Sequence, residues 1–152
     1  AGVMIETPAA AVTAEHVLTH AMFASLGTND LGQYTMAADR LMGELAALND
    51  PWQPAVLRMV KASVDGGHAN DRPVGVCGEA ASDPALAVVL AGLGVSSLSM
   101  TPRSIAAVAA VLSKTPMPEC RRLAKVAIDA PTATAGRAAV RASLDVLDEL
   151  GL

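Results

Sequence analysis

Short apolar runs alternate with longer amphipathic stretches along most of the chain. Runs at residues 3–5, 23–26, 73–77 and 95–100 are short enough for strands, and each is bounded by Gly or Pro. Between and after them, helical spacing of apolar residues predicts helices at 14–22, 40–48, 53–65, 84–91 and 102–112, with a helical turn at 31–38. Two more helices are predicted at about 118–128 and 134–149, without a strand between them. The repeated unit is a strand, a polar loop and a helix.

Turn and capping residues set the predicted boundaries. Asp83 and Thr101 each precede a proline, a typical start of a helix. The segment 27–30, Gly-Thr-Asn-Asp, is predicted to be a polar turn after the second strand. The glycine pair at 66–67 is predicted to end the helix that begins at residue 53.

This alternation predicts an α/β fold with parallel strands. Parallel strands need crossover connections, and burial on both faces would explain their continuous apolar character. Four such units with polar residues after each strand are typical of half of a (β/α) barrel, whose active site lies at the carboxyl ends of the strands. An open doubly wound sheet is the alternative, but it usually carries a glycine-rich loop where this chain has Glu6-Thr7-Pro8.

Composition narrows the functional classes. The 152 residues are 52% hydrophobic with a net charge of -4, and the longest basic run is Arg121-Arg122, so nucleic acid and anionic membranes are not predicted partners. The two cysteines, Cys77 and Cys120, match no disulfide or metal spacing, which favours a reducing, cytoplasmic compartment, with Cys120 in a structural role. The abrupt apolar start of the chain suggests a piece of a longer protein.

Two carboxylates follow neighbouring strands and are candidates for a metal site. Glu6 follows the first strand and Asp30 the second, so the pair can share a hard divalent cation completed by phosphate and water. Each carboxylate can equally cap a helix or pair with an arginine. His16 and His20 are one helical turn apart but lack a third ligand signal.

Three other residues have a functional and a structural interpretation. Asn29 can donate a hydrogen bond to an anion or be an ordinary turn residue. Arg40 can bind phosphate through two parallel hydrogen bonds, or it can pair with Asp39 or Glu44. Cys77, at the end of the third strand, can be an acid or nucleophile or a packed core residue.

Three segments together resemble a known family. They are GVMIETPAAA, FASLGTNDLGQYTMAADR and VCGEAASDPALAVVLAGLGVSSLSMTPRSI. They resemble the phosphoenolpyruvate-utilising enzymes, and the run from Tyr34 to Arg40 and the helical tail are most similar to the enzyme I group of the bacterial sugar phosphotransferase system. Pyruvate phosphate dikinase and phosphoenolpyruvate synthase share the barrel. The resemblance extends over essentially the full chain.

The resemblance implies a role for each candidate residue. Glu6 and Asp30 are expected to coordinate Mg²⁺, which binds the substrate phosphoenolpyruvate. Asn29 and Asp30 are expected to contact the substrate, and Arg40 to bind its phosphoryl group. Cys77 is expected to exchange a proton with the methylene carbon as pyruvate forms.

The resemblance also implies that residues 1–152 form the C-terminal half of a TIM-type (β/α) barrel. The first half of the barrel, the phosphohistidine domain and the docking region for a phosphocarrier protein are then expected outside this chain. The fragment alone is therefore expected to be inactive, and its parent to be a cytoplasmic homodimeric transferase in sugar transport. A dikinase or synthase fragment, a lyase on the same barrel and a non-catalytic dimerisation module are the alternatives.

Overall fold

The computed structural model describes residues 1–152 and contains four β-strands and nine α-helices. The strands are β1 Val3–Ile5, β2 Ala24–Gly27, β3 Val74–Cys77 and β4 Ser97–Ser99. The helices are α1 Pro8–Val12, α2 Ala14–Val17, α3 Thr28–Met36, α4 Pro54–Ala69, α5 Pro84–Leu93, α6 Pro102–Lys114, α7 Met117–Asp129, α8 Ala133–Arg141 and α9 Asp145–Leu150. None of these helices has the length and apolar character needed to cross a bilayer.

The four strands form one parallel sheet in the order β1-β2-β3-β4. Ile5 pairs with Leu26, Leu26 with Val76, and Val76 with Leu98, so these residues form one row across the sheet. The predicted α/β fold with four parallel strands is confirmed, and the predicted strand ends are correct to within two residues. The carboxyl ends of all four strands lie along one edge of the sheet.

Only one face of this sheet is well buried within the chain. Ile5, Leu26 and Val76 are completely enclosed, whereas Met4 on the opposite face is 52% exposed and Ser97 is also exposed. The burial on both faces that would explain the apolar runs is therefore not reached within this chain. Right-handed crossovers between consecutive neighbouring strands carry the connecting helices to the same face, which leaves the other face open.

Helix α5 lies at the centre of the core. Leu86, Val88 and Leu90 are buried, and nearly every residue of the helix is apolar, as expected of a helix covered on all sides. Gly92 permits close packing against α7, because a Cβ at this position would lie 2.9 Å from the Ala124 Cβ. Asp83 caps the helix, as predicted, and Gly94, with φ of 97°, ends it.

Three predicted helices differ from the structure. Residues 40–48 contain only a 3-10 turn, Gly43–Leu45, because apolar side chains such as Leu41, which is 87% exposed, find no packing partner there. The helix predicted at 14–22 ends at Val17, and the helix predicted at 134–149 is divided into α8 and α9. In both cases hydroxyl side chains bond to backbone carbonyl groups near the break, Thr19 to His16 and Ser143 to Ala139.

The glycine pair at 66–67 lies inside α4 and does not end it. The prediction of a helix end at this position is wrong. A Cβ on Gly66 would lie 2.7 Å from the carbonyl carbon of Ala14 and closer still to the backbone nitrogen of Glu15. Gly66 therefore allows α2 to contact the α4 backbone. Asn70, at the end of α4, links the two helices because its Nδ2 donates to the backbone carbonyl oxygen of Glu15 at 2.8 Å.

Candidate active site at the carboxyl ends of the strands

The segment 27–30 begins a helix. Helix α3 starts at Thr28, so Asn29 and Asp30 occupy its first turn, and the predicted polar turn is wrong. An acidic residue is favourable here because the helix N-terminus carries partial positive charge. The Thr28 hydroxyl donates to the Cys77 carbonyl oxygen at 2.9 Å, which ties the start of α3 to the end of β3.

Glu6 lies beside the start of α3. Because Ile5 pairs with Leu26, the register places Glu6 level with Gly27. A Cβ on Gly27 would lie 2.7 Å from Glu6 Oε1, so the carboxylate occupies space that any other residue at position 27 would fill. The structure therefore brings Glu6 to the end of β2, from which the helix bearing Asp30 begins.

Asp30 and Arg40 form an ion pair. Arg40 Nη2 lies 3.7 Å from Asp30 Oδ1, and both side chains are partly exposed. The Arg40 backbone nitrogen donates to Gln33 Oε1 at 3.2 Å, which holds this loop against α3. Arg40 does not pair with Asp39 or Glu44, the partners of the alternative interpretation. It pairs with Asp30, another candidate site residue.

Cys77 ends β3 with its side chain on the half-exposed face of the sheet. Its thiol donates to the Leu26 carbonyl oxygen at 3.3 Å. The next residue, Gly78, has φ of 96°, and a Cβ there would lie 3.2 Å from Asn29 Oδ1. Asn29 therefore lies beside Gly78, the residue that follows Cys77.

Cys120 has a different environment in the core. It is 2% exposed, and its thiol donates to the Thr115 carbonyl oxygen at 3.6 Å. Burial raises the pKa of the Cys120 thiol, which keeps it protonated at neutral pH. The chain therefore has one partly accessible thiol, at the candidate site, and one enclosed thiol.

A cavity of about 440 Å³ opens beside Asn29. It is lined by Asn29, Gly78, Glu79, Ser82, Ser99, Met100 and Thr101. The sequence pattern did not indicate the 3-10 turn Glu79–Ser82, or the hydroxyl groups of Ser99 and Thr101 at the end of β4, as site components. The available signal was their position at the ends of the third and fourth predicted strands. Glu6, Asp30, Arg40 and Cys77 do not line this cavity.

Glu6 and Asp30 supply carboxylate oxygens, the ligand type that a hard cation such as magnesium prefers. No group of three or more His, Cys, Asp or Glu side chains is arranged to hold a metal ion. Magnesium is usually bound by one or two carboxylates together with waters and substrate phosphates. Asp30 is paired with Arg40 only at 3.7 Å, longer than a hydrogen bond, so its oxygen atoms keep their capacity to bind a cation.

Comparison with known proteins identifies the family. Residues 1–117 match the family model described as "PEP-utilising enzyme, PEP-binding domain". The chain belongs to this family. The resemblance of the three sequence segments to phosphoenolpyruvate-utilising enzymes is thereby confirmed.

Several relatives match most of this chain. The chain is 50% identical over 143 residues to a phosphoenolpyruvate-protein phosphotransferase of Streptomyces coelicolor, covering 94% of this chain and 26% of that protein. It is 51% identical over 137 residues to a multiphosphoryl transfer protein of Xanthomonas campestris, covering 90% of this chain and 16% of that protein. A phosphoenolpyruvate-protein phosphotransferase of Haloferax volcanii is 44% identical over 131 residues, 86% of this chain and 23% of that protein. The chain thus spans about a quarter or less of these relatives.

Proposed function

We propose that this chain supplies part of the active site of a transferase that moves a phosphoryl group from phosphoenolpyruvate to a histidine of the same parent enzyme. A phosphocarrier protein would then receive the group for sugar uptake, as in the enzyme I group. The phosphohistidine domain and the first half of the barrel would lie elsewhere in the parent. Relatives named phosphoenolpyruvate-protein phosphotransferase, matching 94% and 86% of this chain, support this proposal.

The observation that carries the proposal is the clustering of candidate residues at one edge of the sheet. Glu6 lies against Gly27, Asp30 pairs with Arg40, and Asn29 lies beside Gly78, which follows Cys77. The clustering joins the ends of β1, β2 and β3. It gathers two carboxylates, a guanidinium group, an amide and a thiol, which together suit a small, highly charged phosphate ester.

Each residue has a defined task in this mechanism. Arg40 binds the phosphoryl oxygens and Asn29 orients the substrate, because phosphoryl transfer depends mainly on positioning and charge stabilisation. Glu6 and Asp30 would hold Mg²⁺, which neutralises phosphate charge when bound. The Cys77 thiol gives its proton to the methylene carbon of the enolate that remains after transfer, and this carbon becomes the methyl group of pyruvate.

The open edges of the sheet support the proposed barrel. β1 and β4 each have one neighbour within the chain, and the face carrying Met4 is exposed. An apolar groove of about 300 Å³ also opens between β4 and α6, next to the half-exposed side chain of Ile105. Unpaired strand edges and exposed apolar surface favour association, so we propose that further strands of the parent close the barrel and that the parent is a homodimer. A monomeric mass for the intact parent by light scattering would contradict the dimer.

The function is tested by comparing the intact parent enzyme with the isolated chain. Each is incubated with phosphoenolpyruvate and Mg²⁺ and analysed for acid-labile phosphohistidine and pyruvate. The intact enzyme is expected to form both, and the isolated chain neither. Absence of phosphohistidine in the intact enzyme would contradict the function, and formation of either product by the isolated chain would contradict the inactivity of the fragment.

A further inference from the structure

The turn from Gly78 to Ser82 lines the cavity but is short and needs outside support. Glu79–Ser82 is a single 3-10 turn, a conformation with poorer hydrogen-bond geometry than an α-helix. Its first end is held by Thr28, whose hydroxyl bonds to the Cys77 carbonyl at 2.9 Å. Its second end joins Asp83, so the groups that hold Asp83 also determine where the turn lies.

Asp83 is held by both of its carboxylate oxygens. Oδ1 accepts from the backbone nitrogens of Ala85 at 2.9 Å and Leu86 at 3.3 Å, which caps α5. Oδ2 accepts from Trp52 Nε1 at 2.9 Å. Because Trp52 is fully buried, its N–H group has no access to water and depends on this acceptor. The contact fixes the carboxylate in two directions at once.

Trp52 is held in turn by Arg137 of α8. The Arg137 guanidinium lies 5.8 Å from the centre of the indole ring, within the range of a cation–π contact. Arg137 Nη2 also donates to Asp50 Oδ1 at 2.8 Å, and the same oxygen accepts from the Trp52 backbone nitrogen at 3.0 Å. Arg137 lies outside residues 1–117, the part matched by the family model.

We propose that Trp52 and Arg137 are positioning residues for the Gly78–Ser82 turn and act on it through Asp83. This inference rests on the proposed phosphoryl transfer. Loss of the indole donor leaves one oxygen of the Asp83 carboxylate without its partner, and the side chain then turns toward water. The turn moves with Asp83. Because the turn follows Cys77 and lines the cavity opposite Asn29, the cavity wall moves as well.

The test uses three variants of the intact parent enzyme. Trp52→Phe removes the N–H donor but keeps an aromatic ring in the core, and Arg137→Ala removes the contact with that ring and with Asp50. Arg141→Ala is the matched control, because Arg141 lies one turn further along α8 and bonds only to the terminal Leu152 carbonyl oxygen at 2.9 Å.

The measurements are kcat and KM for phosphoenolpyruvate, taken well below the Tm of every variant. Trp52→Phe and Arg137→Ala are expected to lower kcat by about tenfold, since a displacement of about 1 Å at a reacting group can cost about 100-fold. KM is expected to stay within about twofold, because the loss affects the transition state more than substrate binding. Arg141→Ala is expected to match the unmodified enzyme.

A lower Tm with unchanged kcat in the folded variants would overturn the inference and assign a structural role alone. If Trp52→Phe does not fold, Arg137→Ala decides, because its side chain is half-exposed. Coupling provides a second criterion: the double variant should lose less activity than the product of the single losses, and independent losses would contradict a shared route through Asp83. If the unmodified enzyme transfers no phosphoryl group, the proposed function itself is contradicted. If the unmodified enzyme is active and the variants have the same kcat, only this inference is contradicted.

Discussion

Replacing Gly66 by alanine is expected to destabilise the protein, although the same change usually stabilises a helix. Gly66 lies within α4, where alanine normally gains about 1 kcal/mol over glycine. The added methyl group would lie 2.7 Å from the Ala14 carbonyl carbon and closer still to the Glu15 nitrogen. Both are backbone atoms of the packed α2 segment, which cannot move aside as the end of a flexible side chain can.

The size of the effect follows from these two opposing contributions. Inserting a methyl group into a packed region costs about 1–3 kcal/mol. The contact of Gly66 is with backbone, so we take the upper end, about 3 kcal/mol. Subtracting the gain of about 1 kcal/mol in helix propensity leaves a net loss of about 2 kcal/mol.

Gly32 provides the matched control in another helix. It lies within α3, and the nearest atom to an added Cβ is the Val56 Cγ2 at 4.0 Å, an ordinary contact distance. Gly32→Ala is therefore expected to stabilise the protein by up to about 1 kcal/mol. The two substitutions are chemically identical, so the opposite sign isolates the effect of the α2 contact.

Urea unfolding followed by circular dichroism, at one fixed protein concentration, measures both variants. With a slope of about 2 kcal/mol per molar urea, the midpoint of Gly66→Ala should fall by about 1 M. A midpoint for Gly66→Ala equal to or above that of the unmodified chain would refute the reasoning, because it would show that α2 yields at little cost.

Two further predictions concern thiol reactivity and pH. Iodoacetamide should modify Cys77 well before Cys120, because Cys120 is enclosed and burial raises the pKa of its thiol. Mass spectrometry of the two cysteine peptides measures the two rates, and equal rates would contradict the packing. Hydrogen bonds from Arg122, at 2.8 and 2.6 Å, hold the pKa of Glu119 below its usual range. The stability that they give the folded chain is therefore present above a pH of about 4.3 and is lost as the pH falls through the lowered pKa. In an NMR titration, Arg122→Gln should return the Glu119 pKa toward its ordinary value, and an unchanged pKa would exclude Arg122 as the cause.

Local signals made the order of strands and helices predictable. Asp83 before a proline marks the start of α5, and Gly94 in a left-handed conformation marks its end. Both depend on neighbouring residues only. The role of Gly66 was not predictable in this way, because the α2 backbone that it contacts is distant in sequence. The helix predicted at residues 40–48 does not form, because its exposed apolar side chains have no partner surface to stabilise it.

The placement of the candidate residues along one edge of the sheet was predictable, but their contacts were only partly so. Glu6 and Asp30 follow strands that were recognisable from apolar runs, and Cys77 ends another. Parallel pairing brings these strand ends together. The ion pair between Asp30 and Arg40 depends on the loop after α3, which the sequence pattern misassigned to a helix. The contacts of Trp52 with Asp83 and Arg137 join segments far apart in the chain, and no spacing rule connects them.

If Glu6 and Asp30 belong to a phosphoryl-transfer site, phosphohistidine formation by the intact parent enzyme requires both carboxylates. Asp71→Asn is the control: Asp71 is exposed, precedes β3 at the opposite end of the sheet, and has φ of 54°, which Asn tolerates well. Glu6→Gln and Asp30→Asn are each expected to lower the rate of phosphoenolpyruvate-dependent phosphorylation by about 100-fold or more, since electrostatic groups at a reacting centre contribute on this scale. Asp71→Asn is expected to retain the full rate. Unchanged phosphorylation in both folded site variants would exclude these carboxylates from the reaction.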